Sequence, residues 1–163
     1  MEDSAPSTEF NSPTLGKMAF PSVVAAIVRY IESQSEFSYR VIVGSDSEPT
    51  DGEVEYVTAV AIHRVGRGGV YFWQRNIGNP CFTLRERIYN EALLSLEFAR
   101  RLLAAFHAQN ILDLNLEIHV DVGTKGETRQ IINEIIGMVR GSGFLVKTKP
   151  DSFGASKVAD RHT

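Results

Sequence analysis

The sequence has a single cysteine, Cys81, in 163 residues. One cysteine excludes an internal disulfide and a zinc site built from several thiolates. A nucleophilic role would require a histidine beside the thiol, and the chain offers four histidines. We interpret Cys81 as a structural residue and keep the catalytic thiol as the alternative.

The sequence also lacks long apolar runs, an excess of basic residues and a basic N-terminus. No run approaches the roughly 20 apolar residues that cross a bilayer, so no membrane span is expected. Met1 to Phe10 contains no Lys or Arg and so lacks the basic region of a secretory signal, and we expect a cytoplasmic protein. The formal net charge of −3 argues against a protein that coats nucleic acid by bulk electrostatics.

Acidic residues are missing from one segment, Tyr56 to Arg85. Arginines without carboxylates between them indicate a local basic surface that could meet phosphate groups. The alternative is that they are solvated positions of a hairpin. The arginines of this segment are Arg64, Arg67, Arg75 and Arg85.

The patterns that are present predict one α/β domain. Residues 1–20, rich in Ser, Thr, Pro and Asn, predict a flexible tail, and residues 21–163 predict a single domain that opens with an extra N-terminal amphipathic helix from Pro21. Thr83 and Glu86 form a capping box at the start of a long helix. The expected strands are 39–45, 54–63, 70–75, 115–122 and 144–149, and the later helices are 83–107, 128–140 and 153–160.

The resulting order, βββαβαβα, predicts a mixed five-stranded sheet flanked by helices. Its first three strands follow one another through short turns and form an antiparallel meander. A helix separates the fourth strand from the fifth, so these later strands are expected to be parallel.

Carboxylates mark the ends of two of these strands. Asp46 follows the apolar run Val41 to Val43, and Asp121 closes the run from Glu117, while Asp160 lies near the end of the chain. Carboxylates gathered at neighbouring strand ends make an oxygen cage suited to Mg²⁺ or Mn²⁺. The pattern therefore predicts a metal site.

The fourth predicted strand has one polar face. Glu117, His119 and Asp121 alternate with apolar residues, whereas a central strand covered on both sides reads as almost continuously apolar. The polar row is expected to meet water, metal or substrate, or the strand lies at a solvated edge. His119 is either a partner of a metal ligand or a hydrogen-bonded structural histidine.

Several motifs resemble the YkuK family of uncharacterised bacterial proteins, within the ribonuclease H-like superfamily. The likeness covers about Ser38 to the C-terminus, and it implies the ribonuclease H-like fold and a nucleolytic activity. The motifs are Gly44-Ser45-Asp46-Ser47, Leu84-Arg85-Glu86-Arg87, His119-Val120-Asp121, Gly137 to Phe144, and Lys149-Pro150-Asp151 through Ala159-Asp160-Arg161-His162-Thr163.

The resemblance implies four metal-binding carboxylates, of which the first-strand residue, Asp46, bridges two divalent ions. Asp121 and Asp160 match two further positions, and Asp151 is the alternative to Asp160. The fourth ligand is a Glu on the long helix, where helical phase places Glu91 at the margin of the buried face and Glu86 nearly opposite. We also predict that Asp46, Asp121 and Asp160 are catalytic, with His162 moving a proton.

We therefore predict a Mg²⁺- or Mn²⁺-dependent nuclease that cleaves RNA or DNA with two metal ions. The alternatives are a nucleic-acid-binding module of the same fold without chemistry and, last, an ATP-dependent phosphotransferase. We interpret Gly123-Thr124-Lys125-Gly126 as an ordinary turn because it lacks P-loop spacing. The residues expected to contact the phosphate backbone are Arg85, Arg87, Lys125, Lys149 and Arg161.

Overall fold

The computed structural model describes residues 9–81, 83–122, 128–149, 151–152 and 162. Within them, seven strands form one sheet in the order β2-β1-β5-β4-β3-β6-β7. The strands are β1 (Glu9–Ser12), β2 (Gly16–Ala19), β3 (Tyr39–Thr50), β4 (Glu53–Arg64), β5 (Gly69–Gly78), β6 (Leu116–His119) and β7 (Leu145–Lys147), and the helices are α1 (Phe20–Ser33), α2 (Leu84–Ala108) and α3 (Arg129–Gly141).

The mixed α/β sheet expected from the sequence is present. β3, β4 and β5 form the antiparallel meander, β6 pairs with β3 in parallel, and β7 pairs with β6 in parallel. The long β3–β4 hairpin turns at Asp51 and Gly52, whose φ angles are 40° and 83°. Positive φ at both central residues is the backbone requirement of a two-residue hairpin turn that matches strand twist.

The N-terminal segment differs from the predicted flexible tail. Residues 9–19 form the β1–β2 hairpin, and Asn11 of β1 pairs with Trp73 of β5. Phe10 is 1% exposed and stacks on Phe98 of α2 at 5.3 Å between ring centroids. Burial of this aromatic ring, worth about 2 kcal/mol or more, orders a segment whose polar composition predicts disorder.

The three described helices pack on one face of the sheet. The main core joins Val41 and Val43 of β3 with Ile27 of α1, Leu102 of α2 and Ile135 of α3. A second, smaller cluster on the opposite face contains Ile42, Val57 and Ala59. The predicted last helix, 153–160, lies outside the described residues.

Helix α2 begins as its capping box predicts. The Glu86 backbone N–H donates to Thr83 Oγ1 at 3.1 Å, which satisfies one of the N–H groups that a helix start leaves without a partner. Helical periodicity predicts a buried face, and all of its residues are buried except Leu84, which is exposed in the first turn. These residues are Leu84, Ile88, Ala92, Leu96, Ala99 and Phe106. The phase of the helix therefore follows the sequence and fixes which glutamate faces the sheet.

Candidate acidic site

Asp46 lies within β3 and not at its end. The strand was expected to stop at Ser45, but pairing with β4 extends it to Thr50, with Asp46 opposite Val57. Side chains alternate along a strand. Ser45 and Ser47 therefore face α2, with Val41 and Val43, while Asp46 points to the opposite face of the sheet, with Ile42. The Asp46 side chain is partly exposed.

Glu91 reaches β3 from α2. Its side chain is 7% exposed, and Ser47 Oγ donates a hydrogen bond to Glu91 Oε1 at 2.5 Å. Arg87, one turn earlier on the helix, donates from Nε to the same Ser47 Oγ at 3.3 Å. Glu86 is exposed, so of the two candidate glutamates the structure brings Glu91 to the Asp46 strand, as helical phase predicts. Its role as a metal ligand stays a prediction.

Electrostatics link Glu91 to both aspartates. Burial is the main reason that the pKa of Glu91 is raised to about 7; the Ser47 hydrogen bond lowers it, the negative charge of Asp46 raises it, Arg87 lowers it and Asp121 raises it. A neighbouring negative charge raises a carboxyl pKa because it opposes ionisation. Asp46 and Asp121 both act on Glu91 in this way, and we refer to these three residues as the acidic neighbourhood, or acidic site.

Asp121 arrives in this neighbourhood through the parallel pairing of β6 with β3. Gly44 pairs with His119, and two further residues along each chain lead to Asp46 and Asp121. The Val122 N–H donates to the Val120 carbonyl at 2.9 Å, so Asp121 is the central residue of a γ-turn that ends the strand. Lys149 Nζ lies 3.0 Å from Asp121 Oδ1.

The acidic residues suit a hard divalent cation by chemistry, since carboxylate oxygens are the preferred ligands of Mg²⁺ and Mn²⁺. Their positions do not form a complete cage: among the described residues no group of three or more His, Cys, Asp or Glu could hold a metal ion. Glu91 is bonded to Ser47 and Asp121 to Lys149. The predicted ligand Asp160 lies outside the described residues, and its alternative, Asp151, is exposed.

The polar row of β6 is satisfied by an ion pair. Arg40 of β3 donates from Nε and Nη2 to the two Glu117 carboxylate oxygens at 2.6 and 2.7 Å, and His119 Nε2 lies 3.4 Å from Glu117 Oε1. The Arg40 hydrogen bonds are the main reason that the pKa of Glu117 is lowered. β6 lies between β3 and β7, so the alternative of a solvated edge strand is wrong.

His162 lies over β5. Its ring stacks on Trp73, with centroids 4.3 Å apart and planes 11° apart, and its Nε2 is 3.3 Å from the Tyr71 hydroxyl. β4 separates β5 from the Asp46 strand. The imidazole therefore lies two strands away from the strand that carries Asp46. Proton transfer by His162 stays a prediction.

The basic residues predicted to meet phosphate lie in different surroundings. Arg87 contacts Ser47 and Lys149 contacts Asp121, so both border the acidic site. Arg85 is exposed and lies 3.4 Å from Glu134. Lys125 and Arg161 lie outside the described residues.

The arginines of the acid-free segment do not form one patch. Arg64 and Arg67 stand at the β4–β5 turn, whereas Arg75 lies six residues along β5, about 20 Å away. Each packs over an aromatic ring: Arg64 over Tyr30, Arg67 over Phe37, Arg75 over Trp73 and Arg85 over Tyr89.

Sequence reasoning missed the hydroxyl groups that join the site to its helix. Ser45 Oγ lies 2.9 Å from Thr58 Oγ1 and 2.8 Å from Ser95 Oγ, and Ser47 holds Glu91. A signal was present, because Ser45 and Ser47 flank Asp46 just after the apolar run Val41 to Val43, and Ser95 follows Glu91 by one helical turn.

Comparison with known proteins places this fold in a class. The family model described as "Ribonuclease H-like" matches residues 22–163, so the chain belongs to the ribonuclease H-like family. A curated relative, the uncharacterized protein YkuK of Bacillus subtilis (strain 168), is 31% identical over an alignment 162 residues long that covers 90% of this chain and 92% of that protein. The resemblance to the YkuK family is thus confirmed.

Among solved structures, the chain is similar to the ribonuclease H1 crystal structure from the halophilic archaeon Halobacterium salinarum NRC-1. The two share 12% identity and a TM-score of 0.39, over 76% of this chain and 99% of that one. Separately, no helix in the described ranges is long and apolar enough to cross a membrane.

Proposed function

We propose that the protein is a divalent-metal-dependent nuclease that hydrolyses phosphodiester bonds of cytoplasmic RNA or DNA. The observation that carries the proposal is the buried Glu91, whose pKa is raised to about 7 by burial and also by the charges of Asp46 and Asp121. Burying a carboxylate near two others opposes stability, and functional sites are where such arrangements accumulate. Membership of the ribonuclease H-like family supports the same reaction class.

Asp46, Glu91 and Asp121, with Asp160 as a further predicted ligand, would hold Mg²⁺ or Mn²⁺. Bound ions of this kind activate water and stabilise the leaving oxygen of a phosphodiester. Ser47 orients Glu91 through its hydrogen bond, and Arg87 holds Ser47. Lys149 pairs with Asp121 and is close enough to exchange that contact for a substrate phosphate.

The second candidate is a nucleic-acid-binding module without chemistry. Two observations favour it: the described carboxylates form no metal cage, and Lys149 already neutralises Asp121. Such a module would bind strands in a salt-sensitive manner, and its affinity would be independent of divalent metal.

The decisive experiment is hydrolysis of labelled RNA, DNA and RNA/DNA hybrid with Mn²⁺ or Mg²⁺ by the natural chain, Asp46→Asn and Asp113→Asn. Asp113 is exposed between α2 and β6 and provides the matched control. We expect Asp46→Asn to lose about 100-fold or more, because even indirect partners of metal sites cost 10- to 100-fold, while Asp113→Asn retains activity.

Equal hydrolysis by the natural chain and Asp46→Asn would refute the nuclease proposal. Salt-sensitive binding that persists in EDTA and in Asp46→Asn, without hydrolysis, would instead support the binding module.

A further inference from the structure

A groove of about 1000 Å³ lies beside the acidic site, between α2 and the ends of β4 and β5. Two lining residues lie next to the Glu91 part of that site. Asn90 directly precedes Glu91 on α2. Tyr56 of β4 pairs with Ser47 of β3, and Ser47 donates the hydrogen bond to Glu91. The groove therefore lies beside Glu91, on the α2 side of the sheet.

The inner wall of the groove is held in place by side-chain contacts. Asn90 Nδ2 donates to the Tyr56 hydroxyl at 3.1 Å and lies 3.3 Å from Cys81 Sγ, and the Tyr56 hydroxyl lies 3.3 Å from the same sulfur. Gly78 permits this wall, because a methyl group there would lie 2.6 Å from the Tyr56 ring. A preformed pocket of this size is the usual form of a ligand site.

The lining is mainly neutral, aromatic and amide-bearing. Tyr89 presents a ring, Asn76, Asn79 and Asn90 present amides, and Ile77 and Leu93 are exposed apolar side chains, whereas the Tyr56 ring is only 4% exposed. Amides supply both donors and acceptors, and aromatic rings stack with any base.

The charges of the lining argue against a phosphate pocket. Glu86 and Glu97 contribute two carboxylates against one guanidinium, Arg85, which also contacts Glu134 at 3.4 Å. The net negative charge of these side chains would repel a phosphate, whereas it would not repel an uncharged nucleobase. The lining thus matches bases and not the backbone.

We propose that the groove binds unpaired nucleobases of a single strand whose backbone crosses the acidic site. The inference deepens the proposed function, since it relies on a nucleic acid reaching that site. Bases in a duplex are stacked and paired and cannot enter a groove between a helix and a sheet, whereas unpaired bases can be splayed out and stacked on aromatic side chains. The natural substrate would accordingly be single-stranded.

The test measures fluorescence polarisation of three labelled probes: a short single strand, the same strand in a duplex, and a strand of equal length with abasic positions. Leu93→Trp fills the groove from a residue that is 47% exposed, and Leu112→Trp makes the same change at a residue that is 68% exposed and outside the groove. Thermal melting of both variants verifies that each folds.

We expect the natural chain and Leu112→Trp to bind the single strand about tenfold or more tightly than the duplex or the abasic strand, and Leu93→Trp to lose this preference. The inference is overturned if Leu93→Trp keeps the preference, or if the abasic strand binds as tightly as the natural one. Because binding is measured without hydrolysis, a base-dependent preference that Leu93→Trp loses would uphold the groove even if Asp46→Asn proved the nuclease proposal wrong.

Discussion

At the scale of single residues, the burial of Glu91 makes the site costly for the fold. The ordinary carboxyl pKa of 4.5 is raised to about 7 in the folded chain, first by burial and less by neighbouring charges. The folded protein therefore binds more protons than the unfolded chain between these two pH values, so stability falls as pH rises across the interval. At pH 8 the cost is about 3 kcal/mol, since each pKa unit corresponds to about 1.4 kcal/mol.

Glu91→Gln is therefore expected to stabilise the protein at pH 8 by about 2 to 3 kcal/mol and to change stability little at pH 4. The amide oxygen can still accept the Ser47 hydrogen bond, and the buried charge is removed. Urea unfolding at both pH values measures the difference. Glu97→Gln, an exposed position on the same helix, is the control, and a Glu91→Gln variant no more stable than this control at pH 8 would contradict the expectation.

The position of Glu91 could be predicted from the sequence, but its environment could not. Helical phase distinguishes Glu91 from Glu86 because both lie on one regular helix. The Ser47 contact depends on how α2 crosses β3, which no local pattern records. The same limit explains why Lys149 was predicted to meet phosphate while the structure pairs it with Asp121.

At the scale of elements, the Arg40–Glu117 pair joins β3 to β6 just before the strands reach the acidic site. Glu117 is buried, with a side chain 5% exposed, and Arg40 is 28% exposed. Removing the cation leaves the buried carboxylate with only the longer His119 contact, which is far more costly than removing both partners of the ion pair. The pair therefore fixes the register that brings Asp121 beside Asp46.

We expect Arg40→Met to destabilise the protein by about 3 kcal/mol. The double variant Arg40→Met with Glu117→Met should lose clearly less than the sum of the two single variants, because it buries no unpaired charge. Chemical unfolding of the four proteins in the double-mutant cycle gives the coupling. Additive losses would show that the pair does not act as a unit.

Element prediction was accurate where periodicity extends over many residues and failed where docking decides. β4 and α2 were bounded within one or two residues. β3 was predicted to end at Ser45, five residues early, because its apolar run ends there. Pairing with β4 carries it to Thr50. β6 pairs with β3 only at residues 41–44, so Pro49 lies in the part of the hairpin that extends beyond β6. The four-residue strands β1 and β2 carry too little pattern to be recognised, and Phe10 orders them through the core.

At the scale of the whole molecule, the acidic site is an effect of topology. β3 and β6 are far apart in sequence, and their parallel pairing carries Asp46 and Asp121 to corresponding positions, while α2 brings Glu91 to Ser47 of β3. The sequence predicted a mixed sheet with parallel later strands because strand order constrains such a sheet strongly, and a metal site shared by the three carboxylates stays a prediction. It could not predict the contacts of Ser47 and Lys149 with these carboxylates, since those depend on side-chain packing.

The same topology predicts a pH-dependent response to metal. A divalent ion bound as proposed would offset the cost of the buried Glu91 charge above pH 7, whereas at pH 5 the ion would have to compete with the Glu91 proton. We expect saturating Mn²⁺ to raise Tm by about 5–10 °C at pH 8, since an ion at about 100 times its Kd stabilises by about 2.7 kcal/mol. At pH 5 the increase should be much smaller.

Thermal melts with Mn²⁺, or with EDTA after its removal, measure this response, and Asp46→Asn and Asp113→Asn separate site binding from general ion effects. Asp46→Asn should lose most of the pH 8 increase because Asp46 is the predicted shared ligand, while Asp113→Asn should retain it. An equal increase in Asp46→Asn, or one independent of pH, would mean that the ion binds elsewhere and that the three carboxylates serve only to shape the charge of this surface.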